Sequence, residues 1–235
     1  MPSNLEPAVM RLVEEVRSLT HARTGRLMSE ACLWNELVAC ILGSNVKFEQ
    51  AQSFACHPSI RSCLDMAMVG RDYDTMEAEV TEALSRPIAC FGSMPGKMQR
   101  YRFPALRAKC IRLTAQSIYG KGKTIRGLLD ACKTPLEARQ QLTRNACGIG
   151  PKQASLFLRN TGYADNIAIL DTHVIHYMLL VGLVTSKPKD VSGLPEYERV
   201  ETTLQDYAKR LNAKLAHLDT AIWVVMRVYQ RECKA

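Results

Sequence analysis

Gly148-Ile149-Gly150-Pro151-Lys152-Gln153-Ala154 is the stretch on which the fold turns. Upstream of it, Thr134-Pro135-Leu136-Glu137 carries the start signals of a helix: threonine at the cap, proline at the first helical position and glutamate three residues on. That helix is predicted to end near Ala146, and a second, predicted over 152–160, opens on Lys152. Between them the two glycines read as a tight hairpin. Glycine lets a backbone take φ > 0 and approach a phosphate closely, while the N–H groups of a helix start point outward. Gly148 and Gly150 are assigned those roles, and Ile149 the space between the two helices. A plain helix-ending turn is the other reading of the same residues. Nineteen positions after Lys152 comes Asp171, in Leu170-Asp171-Thr172-His173-Val174, at the head of a helix predicted over 172–181.

Lys152 falls in the first turn of its helix, where the positive end of the dipole disfavours a second positive charge and helps to lower the amine's pKa. A partly neutral lysine can attack a sugar C1′ as its base departs, giving a Schiff base. The alternative is one more phosphate-contacting lysine. Asp171 before Thr-His-Val is a natural N-cap. Capping and catalysis are compatible, since the cap fixes the carboxylate while its free oxygen faces the cleft, where it stabilises an oxocarbenium-like sugar and assists proton transfer at Lys152.

The charge distribution agrees with a phosphate-binding surface. The formal net charge is +8, but residues 1–96 carry 8 basic and 12 acidic side chains, 97–152 carry 13 and 2, and 153–235 carry 10 and 9. The whole excess therefore lies in the segment ending on the hairpin, on what read as folded elements. An ordinary solvated basic face is the competing reading. Nine cysteines are scattered without a C-x-x-C pair, mostly inside apolar helical patterns, as expected of reduced thiols used as small core residues rather than of zinc or iron–sulfur ligands. Residues 1–10 lack a signal-peptide pattern, and the longest apolar run, 177–184, is too short to span a bilayer, so a soluble intracellular protein is expected.

Helical periodicity dominates, and the chain reads as all-α. Leu5, Val9, Leu12, Val13, Val16 and Leu19 make one stripe. Further helices are predicted over 30–40, 47–55, 76–84, 105–119 behind Pro104, from Leu128 onward, and over 197–211 and 215–231. Gly43-Ser44-Asn45 and 91–96 read as breaks, and 187–195 as a linker. Gly120-Lys121-Gly122-Lys123-Thr124 looks like a phosphate-binding loop, yet Ser117 stands where the first glycine is required and no strand precedes it; a helix-ending turn is expected.

Leu142 to Ala154, followed by Ala168-Ile169-Leu170-Asp171-Thr172-His173-Val174, resembles the helix-hairpin-helix, Gly/Pro-rich loop and aspartate signature of a DNA glycosylase superfamily. A lysine in the hairpin marks its bifunctional members, which also cleave the strand. Ser155 to Tyr163, Glu36 to Leu42 and Arg102-Phe103 through Lys109 are similar to the compact archaeal and bacterial 8-oxoguanine enzymes. Three departures stand out: no proline precedes Asp171, no four-cysteine cluster follows the core, and the chain runs Arg231-Glu232-Cys233-Lys234-Ala235 where those enzymes tend to end on a lysine.

The resemblance implies an all-α, two-lobed helix-hairpin-helix glycosylase fold, with a central lobe over 30–160 that includes the helix-hairpin-helix over 134–160, and a second lobe from 1–29 plus 161–235. It implies Lys152 and Asp171 as the catalytic pair, and DNA contacts from Gly148, Gly150, Gln153, His173 and Asn45. His173 would contact a phosphate beside the lesion, and Asn45 would enter the duplex beside the base opposite the extruded one. Each has a plain alternative, a packed helix-start histidine and a turn residue. Trp223 and Asp219 on the final helix are assigned to the base pocket, with a core position as the alternative for Trp223. His173 and His176 stand at metal-ligand spacing, but no carboxylate or cysteine completes a set. No metal or organic cofactor is expected, with the hairpin carbonyls a candidate seat for a monovalent cation. Double-stranded DNA is the expected partner of a monomeric, cytoplasmic, nucleoid-associated enzyme. The target base stays open between 8-oxoguanine and another, such as a hypermodified base in foreign DNA, and a non-catalytic helix-hairpin-helix binding module is the rival of another class.

Overall fold

The computed structural model describes residues 4–19, 28–61, 72–92, 94, 96–186 and 191–232. Much of the predicted linker and the three terminal residues lie outside them. The chain divides into two compact units, residues 25–161 and residues 1–24 with 162–235.

Helix α1 (Leu5–Leu19) belongs to the second unit; among the described residues of 25–161 the helices run α2 (Glu30–Leu42), α3 (Phe48–Ala55), α4 (Tyr73–Ser85), α5 (Pro104–Ile118), α6 (Ile125–Asp130), α7 (Pro135–Asn145) and α8 (Pro151–Asn160). Helix α2 is its axis. Leu33, Trp34, Leu37, Val38, Ile41 and Leu42 are at most 1% exposed, as befits a helix that is apolar nearly all round and packs against α3, α5, α6 and α8. Ser29 caps its start by accepting from the Cys32 N–H, and Gly43 ends it. Helices α4 and α5 lie along one another and are joined through an antiparallel pair of two-residue strands, β1 (Ile88–Ala89) and β2 (Met98–Gln99), with Ile88 opposite Gln99. Strands this short leave no alternation for a sequence pattern to register.

Local hydrogen bonds set the element boundaries. At α7, Thr134 Oγ1 accepts from the Glu137 N–H while the Glu137 carboxylate accepts from the Lys133 N–H, so the predicted start is a reciprocal cap. Helix α6 begins at Ile125 rather than Leu128. Thr124 caps it through the Gly127 N–H, and the Glu30 carboxylate accepts from the Ile125 and Arg126 N–H groups. The Gly120–Thr124 segment is a helix-ending turn: Gly122 sits at φ +67°, and the Gly122 and Lys123 N–H groups donate to Tyr119 O and Ile118 O.

The other unit comprises α1 (Leu5–Leu19), α9 (Thr172–Leu180), α10 (Leu194–Arg210) and α11 (Leu215–Glu232), with α1 and α9 packed on α11. Val9, Tyr177, Met178, Tyr197, Val200, Leu204, Leu218, Ile222 and Met226 are fully buried. Through this core the Tyr177 hydroxyl meets that of Tyr207, which donates to Glu6 Oε2 at 2.6 Å and ties α9, α10 and α1 together. Burial pushes the Tyr207 hydroxyl above the usual phenol range. Helix α10 starts three residues before its predicted position because Pro195, read as part of a linker, occupies the first turn. Not all cysteines are core residues: Cys40, Cys90 and Cys110 are buried, but Cys32 and Cys56 are exposed.

Candidate active site

The hairpin joins α7 to α8 through a left-handed residue. Gly148 has φ +77°, and a Cβ there would lie 3.1 Å from Arg107 Nη1 and 3.2 Å from Cys110 Sγ. Glycine is therefore required twice over, by the torsion and by the space. Ile149 is 5% exposed and plugs the helix pair as expected. The expectation for Gly150 needs correction. Its backbone is extended, φ −92° and ψ 180°, which any residue adopts, and a Cβ would meet no atom within 4 Å. Nothing inside the fold asks for glycine at this position, so any demand for it comes from outside, from a group that approaches the backbone closely.

Helix α8 opens without a side-chain cap, and its first intrahelical bond runs from the Ala154 N–H to Gly150 O. The amides ahead of it carry the positive end of the dipole and are free to receive an anion. Beside them runs an open groove of about 440 Å³, lined by Ser117, Thr143, Arg144, Asn145 and the hairpin itself. The hairpin is braced from behind, where the Cys147 N–H donates to Thr114 Oγ1 at 2.9 Å and Ser44 Oγ donates to Gly148 O at 3.2 Å.

Lys152 is half-buried in the first turn of α8, its Nζ 3.4 Å from Gln153 Oε1. Gln153, a DNA contact by the resemblance, is 6% exposed with its side chain turned into the protein, where Nε2 reaches Ser44 Oγ, so only its backbone N–H remains for a phosphate. Burial, and the negative Glu36 carboxylate one turn away, push the Cys40 thiol well above its ordinary range, while the charge of Lys152 opposes them. Asn45 is exposed with φ +60°, a left-handed turn residue at the end of the break after α2.

Asp171, in the other unit, caps α9 as predicted. Both cap bonds, from the His173 and Val174 N–H groups at 2.9 Å, go to Oδ1, so Oδ2 stays out of the cap. His173 is half-buried beside it. The backbone leading into Asp171 is held by side chains that sequence reasoning did not single out. Glu201 accepts from the Ala168 N–H at 2.7 Å, and the Tyr197 hydroxyl donates to Ala168 O at 2.7 Å and accepts from the Leu170 N–H at 3.1 Å. Asp219 completes the set. It is 2% exposed, and its Oδ2 accepts from the Ile169 N–H at 2.8 Å. Its carboxylate thus supports the chain ahead of Asp171. Trp223, one turn further along α11, is partly exposed with the Arg227 guanidinium over its ring at 4.5 Å, so it is not a core residue.

The basic segment is partly internal. Arg107 and Arg139 are 6% and 0% exposed, and Arg112 pairs with Glu77. Lys97, Arg100, Arg102, Lys109, Lys121, Lys123, Lys133 and Arg144 remain exposed and supply the positive surface of this unit. Among the described residues no group of three or more His, Cys, Asp or Glu side chains converges as a metal site, and no helix is long and apolar enough to cross a membrane.

A family model described as 8-oxoguanine DNA glycosylase matches residues 93–213, a span that contains the hairpin, Lys152 and Asp171. A relative from Saccharolobus solfataricus, named 8-oxoguanine DNA glycosylase/AP lyase, is 31% identical over 205 residues, covering 86% of this chain and 85% of that one. The chain belongs to the 8-oxoguanine DNA glycosylase family. Among solved structures, the 8-oxoguanine DNA glycosylase of Thermotoga maritima matches with a TM-score of 0.62 and 28% identity, over 94% of this chain and 89% of that one. The Methanocaldococcus jannaschii 8-oxoguanine glycosylase/lyase, solved in complex with a 15mer DNA containing 8-oxoguanine, matches with a TM-score of 0.64 and 25% identity, over 93% and 88%. Apart from the one pair of two-residue strands, the fold of the described residues is helical and of the helix-hairpin-helix glycosylase kind, as the sequence implied.

The two hairpin glycines separate experimentally. Gly148→Ala is expected to lower stability by about 1–3 kcal/mol, since it adds both a disfavoured torsion and a crowded Cβ, whereas Gly150→Ala stays within about 0.5 kcal/mol of the parent; urea unfolding midpoints measure both, and equal losses would place the constraint elsewhere. For the support behind Asp171, Asp219→Ala removes the acceptor of a buried N–H and should cost about 1–3 kcal/mol, while Asp219→Asn, which keeps an oxygen, recovers much of that loss. Amide exchange at Ile169 should quicken in the alanine variant and stay slow in the asparagine one.

Proposed function

We propose that this protein removes 8-oxoguanine from duplex DNA with Lys152 as nucleophile and then cleaves the strand. The observation that carries the reading is a lysine in the uncapped first turn of the hairpin's second helix, in a chain of this family. The name of the Saccharolobus relative couples glycosylase to lyase, and the Methanocaldococcus relative is seen on 8-oxoguanine DNA. In this reading the hairpin amides and the exposed basic side chains hold the phosphate backbone, and the lesion nucleotide is turned out of the stack at a cost of a few kcal/mol. The amine of Lys152 forms a bond to C1′ as the bond from C1′ to the base breaks. The departing base takes up a proton, and the product is an aminal. Breaking its C1′–O4′ bond, with a proton passing from the nitrogen to O4′, opens the sugar and gives the imine, which is protonated. Loss of a proton from its C2′ then expels the 3′ phosphate by β-elimination. Asp171 balances the positive charge that grows on the sugar. What supports this part is that Oδ2 is left over by the cap. His173 contacts a flanking phosphate, Asn45 enters the duplex opposite the vacated position, and Trp223 gives the base an apolar wall. The protein acts as a monomer in the cytoplasm, associated with the nucleoid. The chemistry needs no metal or organic cofactor because the nucleophile is a side chain, and a monovalent cation at the hairpin carbonyls would serve binding alone.

The test is covalent trapping. Wild-type protein with borohydride should cross-link to an abasic duplex and release 8-oxoguanine from a lesion duplex. Lys152→Gln should do neither while keeping duplex affinity within roughly threefold, since one charge among many contributes modestly to binding. Trapping by the mutant would remove Lys152 from its role, and a wild-type protein that binds without trapping would be a binding module. A panel of modified bases, assayed in parallel, would reveal a different target if abasic sites trap and 8-oxoguanine is left in place. Base release should also survive EDTA; its loss on chelation and recovery on adding a divalent ion would overturn the metal-free mechanism.

A further inference from the structure

Gln153 is 6% exposed, and its amide lies between the amine of Lys152 and the hydroxyl of Ser44. Lys152 Nζ donates to Gln153 Oε1 at 3.4 Å, Gln153 Nε2 donates to Ser44 Oγ at 3.4 Å, and Ser44 Oγ donates to Gly148 O at 3.2 Å. Arg107 Nη2 holds the same loop by donating to Ser44 O at 2.8 Å. The three bonds from the amine to the hairpin carbonyl run in one direction, so each polarises the next. A single orientation of the amide permits this, because the reversed amide would set its own N–H groups against those of the lysine. A Cβ on Gly43 would lie 3.2 Å from Gln153 Nε2, so the bare glycine leaves room for the amide in this position.

We propose that Gln153 is a positioning residue for Lys152, its carbonyl oxygen taking one amine hydrogen so that the nitrogen lone pair points away from the protein and toward the sugar. The inference rests on Lys152 being the nucleophile. A tetrahedral amine that directs one hydrogen at Oε1 carries its lone pair on another vertex, so the acceptor selects which face of the nitrogen is presented. The contact is long, at 3.4 Å, so the amine is aligned without being held back as its new bond forms. Alignment of this kind matters because a displacement of about 1 Å in a reacting group can slow a reaction about a hundredfold.

The experiment compares wild type, Gln153→Leu and Gln153→Glu in single-turnover release of 8-oxoguanine, in borohydride trapping on an abasic duplex, in affinity for a non-cleavable abasic analogue, and in pH–rate profile. Gln153→Leu should slow release and trapping by about tenfold or more, with affinity within about threefold of wild type. Gln153→Glu keeps the acceptor but adds a negative charge that favours the ammonium. Its acidic limb should therefore move up by about one pH unit, with most of the rate regained above it. A residue that only filled space would slow the reaction without moving that limb. Wild-type rates in Gln153→Leu, or a wild-type limb in Gln153→Glu, would overturn the proposal. Should Gln153→Leu fail to fold by circular dichroism, Ser44→Ala releases the other end of the amide and must slow trapping for the proposal to stand. If wild type itself does not trap, the lysine reading fails; if wild type and Gln153→Leu trap equally fast, the positioning role alone fails.

Discussion

Everything around Lys152 depends on the left-handed backbone at Gly148. A chain leaving α7 must reverse within a few residues to start α8, and it does so through one torsion that L side chains rarely adopt. The inner side of that turn is occupied by Arg107 and Cys110, so the torsion and the packing behind it specify one another. Arg107 is almost fully buried, which is costly for a guanidinium unless its donors are used, and the Ser44 carbonyl takes one of them. The same serine bonds to the hairpin carbonyl. A charge that composition would assign to DNA is thus part of the brace that aims the hairpin outward, and the brace reaches Lys152 through Gln153.

Much of this was legible because it is written in local rules. The caps at Thr134 and Asp171 rest on a side chain bonding to a backbone group a few residues away, the proline starts on a fixed φ, and the turn after α5 on a left-handed glycine with backbone bonds to the helix end, so sequence spacing carries them. What could not be read is what depends on distant partners. The start of α6 follows from Glu30, far away in the chain, whose carboxylate accepts from its first N–H groups. Composition treats every basic residue of the segment alike, whereas packing buries Arg107 and Arg139, half-buries Lys152 and leaves Lys97, Lys109, Lys121, Lys123 and Lys133 outside. The torsions of the two hairpin glycines differ although their letters do not, since one is fixed by the reversal and the other merely begins a helix.

The supports of Asp171 did leave a signal. On α10, Glu201 falls on the stripe of Tyr197, Val200, Leu204 and Tyr207, and on α11, Asp219 falls on that of Leu215, Leu218, Ile222 and Met226. An acid on the buried face of an amphipathic helix must find donors, because a desolvated carboxylate without them costs several kcal/mol. In a unit made of helices, whose own amides are already used, the donors at hand belong to irregular backbone. A buried acid on such a stripe therefore points to a loop that needs holding, and here the loop is the segment 168–170, which runs directly into Asp171.

That arrangement also accounts for an aspartate, rather than a serine or threonine, at the head of α9. A hydroxyl would satisfy the helix amides as well. A carboxylate does so with one oxygen and keeps a second with its share of negative charge, and its direction is set because Oδ1 is pinned by two N–H groups and the preceding backbone by Glu201, Tyr197 and Asp219. In the role proposed for Asp171, stabilising a cationic sugar requires a charge that is already in place, since an electrostatic group that must reorganise during the reaction gives back much of its benefit. The cap and the clamp together meet that condition before any substrate arrives.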